Sequence, residues 1–145
     1  MDFMTAIDIA ASGLTAQRIN LNVISMNLAN INTTRTREGG PYRRKEVIFQ
    51  AAPLKWPPDN LMQSELDREI EGVKVNQILP DNRPFRKVYD PGNPDADKDG
   101  YVLYPNINVV EEMADMLTAL RSYEANLSTI SSIKTMLNQA IQIGR

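Results

Sequence analysis

Apolar side chains recur at alternating steps of four and three residues through the first part of the chain. This spacing puts them on one face of an α-helix and is typical of a coiled-coil seam. Gln17 is the one polar residue in the series, and a second apolar row beside it makes the apolar surface wider than one partner helix covers. The predicted seam consists of Phe3, Ile7, Ala10, Leu14, Leu21, Ile24, Leu28 and Ile31.

The last part of the chain repeats this pattern, and only Lys134 interrupts it. Asn108, with Glu111 three residues later, predicts a capping box at the start of this second helix. Extra apolar residues again flank the series, so the apolar surface is again wide. The predicted seam consists of Val109, Met113, Met116, Leu120, Tyr123, Leu127, Ile130, Leu137 and Ile141.

The middle of the chain has a different character, because all nine prolines lie between Pro41 and Pro105. Proline disfavours helix interiors, whereas short runs rich in β-branched and aromatic residues favour strands. Such runs cover residues 45–51, 72–79, 85–89 and 101–104. We expect them to form one small antiparallel sheet with long loops.

These patterns predict an α+β fold, in which long terminal helices pair as a coiled-coil-like layer beside a small β-rich middle domain. The two helices could pair within one monomer, which would bury one row on each helix. The surplus rows would then leave a larger exposed patch than monomers usually tolerate, so the pattern favours assembly with other subunits. The predicted parts are an N-terminal assembly helix at 1–33, the middle domain at 34–105 and a C-terminal assembly helix at 106–145.

Composition and motif content exclude several functional classes. The chain has no His and no Cys, which rules out thiol catalysis, zinc–thiolate sites and disulfide frameworks. No nucleophile elbow, phosphate loop or spaced carboxylate pair occurs, so we expect no enzyme and no cofactor, and a cell-wall hydrolase is the least favoured alternative. Sixteen basic and eighteen acidic residues give a formal charge of -2, which argues against nucleic-acid binding. No apolar run reaches the roughly 18 residues of a transmembrane helix.

Asp95, Asp97 and Asp99, followed by Gly100, match the opening of an EF-hand calcium loop. The match stops there, because Asn106 occupies the twelfth position, where a bidentate Glu is expected. An acidic turn leading into a strand is the favoured interpretation. A non-enzymatic coiled-coil binding module that uses this loop for calcium is the alternative function.

A basic cluster surrounds the Gly39–Gly40–Pro41 turn. It could contact phosphate, peptidoglycan or an acidic partner surface, and the acidic run at 65–71 of another copy would offer such a surface. A solvated loop is an equally good interpretation. The cluster consists of Arg35, Arg37, Arg43, Arg44 and Lys45.

Paired motifs mark the two ends of the chain: ASGLTAQ at 11–17 with NLANINT at 27–33, and NINVVEEM at 106–113 with RSYEAN at 121–126. They resemble the terminal signatures of the bacterial flagellar axial family, the rod and hook proteins. Middle motifs at 39–45 and 90–102 are similar to those of the proximal-rod type within that family.

The resemblance implies a structural subunit of the proximal rod, the drive shaft that transmits torque across the periplasm. It also implies terminal helices packed into a tubular inner layer, where Asn27, Asn30 and Asn32 would face seams or the lumen. The implied partners are copies of itself, other rod proteins, the MS-ring adaptor, the distal rod and the flagellar type III export apparatus, without membrane insertion. Export without a cleaved signal agrees with residues 1–14, which hold two acidic residues and no Lys or Arg.

Overall fold

The computed structural model describes residues 3–53 and 70–144. The acidic run expected at 65–71 lies outside these residues except for its last two positions. Two long helices flank antiparallel strands, which confirms the predicted α+β fold. The elements are α1 (Phe3–Ala29), β1 (Lys45–Pro53), β2 (Glu71–Pro80), β3 (Arg86–Tyr89), β4 (Tyr101–Tyr104) and α2 (Val109–Ile143).

An asparagine side chain satisfies a backbone group at the end of α1 and at the start of α2. Helix α1 ends four residues earlier than predicted, and the Asn30 side chain donates to the Met26 carbonyl at 2.8 Å, competing with continued helix. Helix α2 begins at the predicted Asn108 cap, whose side chain accepts a hydrogen bond from the Val110 amide at 3.1 Å. The reciprocal Glu111 bond of a full capping box is absent from the described residues. The helices contain 27 and 35 residues, so they span roughly 40 and 52 Å.

The predicted single sheet is wrong, because the strands form two separate two-stranded antiparallel sheets. In the first, which we call the β1–β2 ribbon, a bulge interrupts the register between Ile48 and Phe49. In the second, Arg86 of β3 pairs with Tyr104 of β4. Pro80 ends β2 and Pro84 lies between β2 and β3, where a proline cannot donate to a ladder.

The two helices pack antiparallel, as two distant contacts show. Asn27 near the end of α1 donates to Glu112 near the start of α2 at 3.1 Å. Fourteen residues back on α1, Gly13 faces Asn126, which lies fourteen residues further along α2. A Cβ at position 13 would lie 2.9 Å from the Asn126 amide nitrogen, so glycine permits this close approach.

The β1–β2 ribbon covers a second side of α1. The Val73 amide donates to the Ser12 hydroxyl at 3.0 Å. Further along, Ile24 of α1 and Val47 of β1 line a cleft of about 310 Å³ that also reaches Ala119 of α2. Helix α1 is therefore covered by α2 and by the ribbon, whereas α2 packs mainly on α1. None of the helices in the described ranges is long and apolar enough to cross a membrane.

Candidate assembly interface

The row of α2 that faces α1 shares every second residue with the predicted seam. At the other positions it uses the residue one place earlier in the chain. Buried and half-buried side chains follow a four–three spacing that starts at Glu112. This inner seam keeps four of the predicted residues but turns Lys134 to the surface, which removes the one break in the pattern. The inner seam of α2 consists of Glu112, Met116, Ala119, Tyr123, Asn126, Ile130, Ile133 and Leu137.

The remaining predicted residues of α2 lie outside this seam and are exposed. Met113 is 59% exposed, Leu120 41% and Leu127 52%, and Val109 and Ile141 are exposed as well. Successive turns place the first three one position after the inner seam, so they form an apolar row beside it. Such large apolar side chains in one row are characteristic of an interaction surface.

Helix α1 divides its predicted seam in the same way. Its inner seam contains Gly13 and Asn27, which contact α2, and continues at helical spacing through buried Ala10 and Ile24. The other predicted positions are only half-buried or exposed. Phe3 is exposed and Ile31 is half-buried, and the remaining four residues, spaced seven apart, lie beside the inner seam. That half-buried repeat consists of Ile7, Leu14, Leu21 and Leu28.

These two rows form what we call the open face. Both rows lie one position after the inner seam of their helix, and antiparallel pairing brings such positions to the same side of a helix pair. The ribbon contacts another side of α1, at Ser12, one position before Gly13 of the inner seam. The open face consists of Ile7, Leu14, Leu21, Leu28, Met113, Leu117, Leu120 and Leu127.

The predicted asparagines are distributed over three environments. Asn27 is 1% exposed and sits inside the chain, whereas Asn30 is half-buried and Asn32 is exposed. The Asn27 side chain makes four hydrogen bonds, so it is fully engaged within the chain. Of the three, Asn32 is the most accessible to a neighbour, because the half-buried Asn30 side chain bonds to Met26 and Thr33.

A buried polar joint connects the two helices to the ribbon. The Asn27 amide donates to the Lys45 carbonyl at 2.9 Å and to Glu112, while its oxygen accepts from the Lys45 amide at 2.9 Å and the Tyr42 hydroxyl at 3.1 Å. Arg44 completes the joint by donating through Nε to Glu112 at 2.5 Å. We call Asn27, Tyr42, Arg44 and Glu112 the polar joint.

The joint is charged and shielded from water. Glu112 is 1% exposed, and the guanidinium of Arg44 also lies 3.9 Å from Asp81 and 3.7 Å from Asp115. Burial alone would lower the pKa of Arg44, but the hydrogen bond and charge of Glu112, with the charges of Glu46 and Asp81, raise that pKa overall. Burial, and then the charge of Glu112, raise the pKa of the Tyr42 hydroxyl. Arg44 therefore stays charged and Tyr42 stays neutral at physiological pH.

The predicted basic loop is only partly available to a partner. Arg35, Arg37, Arg43 and Lys45 have exposed side chains, whereas Arg44 is held in the polar joint. The Arg43 guanidinium lies 4.6 Å from the centre of the Phe85 ring, a cation–π contact. The turn itself needs glycine, because positions 39 and 40 have φ values of 88° and 76°.

The acidic loop acts as a connection between β3 and β4. Asp95 accepts a hydrogen bond from the Thr34 hydroxyl at 2.7 Å, and the Asp97 backbone pairs with Tyr101 and Gly100. Asp99 is exposed. Among residues 3–53 and 70–144 no group of three acidic side chains is arranged to hold a metal ion, so the calcium-binding alternative has no support.

The functional residue missed by the sequence patterns is Glu112. A charged residue in the first turn of a helix is expected to face solvent and to interact with the helix dipole. Its seven-residue spacing to Ala119, Asn126 and Ile133 could have placed it in the inner seam. That row is mostly small or polar, so hydrophobicity does not mark it.

Comparisons with known proteins agree with this architecture. The family model described as "Flagella basal body rod protein" matches residues 7–35, and "Flagellar basal body rod FlgEFG protein C-terminal" matches 98–143. "Flagellar basal-body rod protein FlgC" of Borreliella burgdorferi is 46% identical over 99% of this chain and 98% of its own length. The proteins of the same name from Bacillus subtilis and Salmonella typhimurium are 40% and 39% identical, over 97% and 100% of both chains.

Proposed function

Because the chain belongs to the FlgC family of flagellar basal-body rod proteins, we propose that its terminal helices build the wall of the proximal rod by packing against neighbouring subunits. The chain is a structural subunit of the flagellar rod. The observation that carries the assembly proposal is the open face, where large apolar side chains of α2 are exposed and those of α1 beside them are only half-buried.

Burial of the open face would supply a large driving force for assembly. A Leu or Met side chain contributes roughly 1.5–3 kcal/mol when it leaves water. Leu127 and Met113 are more than half exposed in the single chain, so most of that contribution is still available to a contact between subunits. Torque would then pass through many side-by-side helix contacts along the wall, not through a single connection.

The polar joint has a different role in this proposal. Asn27 and Glu112 are fully enclosed, so neither can contact a neighbour. The joint holds the β1–β2 ribbon at a fixed position on the helix pair, because it bonds the start of β1 to both helices. The ribbon would therefore move with the rod wall when the rod turns.

The wider assignment includes partners and location. The proposed partners are further copies of this chain, other rod proteins, the MS-ring adaptor and the distal rod, and the proposed location is the periplasmic part of the basal body. Delivery would use the flagellar type III export apparatus, without cleavage of a signal. No catalytic role is proposed, since the relatives are named as rod proteins.

A substitution on the open face tests the assembly proposal. Leu127→Asp would place a charge in a contact that must exclude water, so incorporation into rods should fall at least about tenfold. Ser132→Asp, also exposed on α2 but outside the open face, is the matched control and should assemble normally. The measurement is the amount of each chain in isolated basal bodies, with circular dichroism of the purified chains to show that both fold. Normal incorporation of Leu127→Asp would overturn the proposal.

A further inference from the structure

Each helix carries an exposed row with one acidic and one basic residue ten positions apart. On α1 these are Asp8 and Arg18, the only charged residues of that helix. On α2 they are Glu124 and Lys134. They lie in an exposed row that consists of Met113, Leu117, Leu120, Glu124, Leu127, Ser131 and Lys134. Within residues 3–53 and 70–144 none of these four charges has an ion-pair partner within 4 Å.

In a contact between α2 of one copy and α1 of the next, the matching separation lets both pairs of opposite charges form in only one direction and register. If α2 of one copy runs antiparallel to α1 of the next, a single register pairs Lys134 with Asp8 and Glu124 with Arg18. A parallel arrangement that aligns the same four residues would place acid on acid and base on base, which is unfavourable. The charge pattern therefore selects the antiparallel orientation.

Side-chain size agrees with the same register. Leu127 falls opposite Thr15, and seven residues further Leu120 falls opposite Asn22. Large side chains of α2 thus meet smaller side chains of α1, which lets the two helices approach closely. The α1 row consists of Asp8, Ala11, Thr15, Arg18, Asn22 and Ser25, and all of them except half-buried Ala11 are exposed.

We propose that the Met113–Lys134 row of α2 binds the Asp8–Ser25 row of α1 in a second copy of this chain, antiparallel, with Asp8 paired to Lys134 and Arg18 to Glu124. This inference rests on the proposed function and specifies the occupant of the open face. The two rows lie on different parts of the surface, so one copy can use both at once. Such a head-to-tail contact continues from copy to copy, into a closed ring or an open helix.

A rival arrangement uses the same charges. Two copies of α2, antiparallel to each other, would also bring Glu124 to Lys134. That contact is two-fold symmetric, so it closes after two copies and places Leu127 opposite polar Ser131. The two arrangements are distinguished by which second substitution restores assembly after the charge of Lys134 has been reversed.

Charge reversals in cells whose only copy of this protein is the variant test the pairing. Lys134→Glu would face Asp8, and incorporation into isolated rods should fall about fivefold, as expected for an exposed like-charge contact. Adding Asp8→Lys should restore incorporation, and so should adding Arg18→Glu to Glu124→Lys. Rescue of Lys134→Glu by Glu124→Lys, or no loss from any reversal, would overturn the register.

Disulfide trapping tests the same register by a distance. The chain has no Cys, so introduced cysteines react without background. In rods that carry Thr15→Cys with Leu127→Cys, mild oxidation should link copies of this chain into dimers and larger species on a non-reducing gel. The mismatched control, Thr15→Cys with Leu120→Cys, is displaced by two turns and should give at least about fivefold less, since its cysteines are roughly 10 Å out of register.

The outcomes separate this inference from the proposed function. Equal cross-linking of the matched and mismatched pairs, or linkage to a different rod protein only, would overturn the register. The proposed function would stand in that case, because the chain is still recovered from rods. Absence of the unsubstituted chain from isolated rods would overturn the proposed function, and this inference with it.

Discussion

The side of the helix pair that carries the β1–β2 ribbon and the side that remains open are built from opposite kinds of contact. Beside the ribbon, buried polar groups are paired within one chain: Asn27, Arg44 and Glu112 meet at hydrogen-bonding distance. On the open face, Leu120 and Leu127 are exposed and have no such partners. Polar groups that must be paired specify geometry, whereas apolar groups supply affinity with little directional demand. In the proposed assembly, the first kind of contact fixes the shape of the chain and the second is available to neighbouring subunits.

The largest expected effect is loss of one member of the polar joint. Glu112→Ala would leave Arg44 and the Asn27 amide without their buried acceptor, so the free energy of unfolding should fall by about 3 kcal/mol. Urea unfolding of the purified chain measures this. Glu111→Ala, the exposed neighbour, should change it by less than about 0.5 kcal/mol. Equal effects of the two variants would show that the joint adds nothing specific.

A smaller loss is expected where the helices approach most closely. Gly13→Leu would force a side chain into the space of Asn126 and should cost about 1–3 kcal/mol of unfolding free energy. Asn126→Ala in the same chain should restore part of the loss, because it vacates that space. Failure of this second substitution to restore any stability would argue against the contact between the two positions.

A still smaller effect concerns Asp81 at the edge of the joint. The backbone amide of Arg83 is the main cause that holds the pKa of Asp81 below its ordinary value of 3.8, with further contributions from the Arg83 and Arg44 guanidinium groups. A lowered folded-state pKa adds stability above the unfolded value, and this stability is lost as pH falls through the folded value. Because the Arg83 side chain that pairs with this carboxylate is exposed to solvent, the contribution should be below about 1 kcal/mol.

Acid titration checks this directly. Between about pH 5 and pH 2 the unsubstituted chain should lose slightly more unfolding free energy than Asp81→Asn, which cannot titrate at this position. Identical pH profiles for the two chains would contradict the assignment of Asp81 to a stabilising cluster.

The smallest expected effect on the fold is on the open face. Leu120→Ser should change the free energy of unfolding by less than about 0.5 kcal/mol, because the side chain is already exposed in the single chain. The same variant should assemble poorly, so stability and assembly would separate. A large loss of stability on thermal unfolding would show instead that Leu120 belongs to the core.

The sequence predicts the helices and strands well because period and proline content are local signals. The Asn108 cap and the start of β1 at Lys45 are where the pattern puts them. The inner seam is different, since it is built from residues such as Gly13, Ala119 and Asn126 that permit close approach but carry little hydrophobic signal. The predicted seam therefore combines residues of the inner seam with residues of the open face.

The division into two sheets and the role of Glu112 also exceed what local patterns carry. Strand pairing depends on which edges meet in space, and the partners of Glu112 lie 68 and 85 residues away in sequence. Arg44 stands in a run of three basic residues, and only the fold shows that it points into the joint while its neighbours remain at the surface.

The most direct test of the account is the reactivity of a single cysteine on the open face, in the purified chain and in isolated rods. The chain has no Cys, so Leu120→Cys reports on that position alone. The account predicts rapid maleimide labelling in the purified chain, protection in intact rods, and full labelling after the rods are dissociated. Equally rapid labelling in intact rods would mean that the open face stays in water, and would contradict the claim that neighbouring subunits cover it.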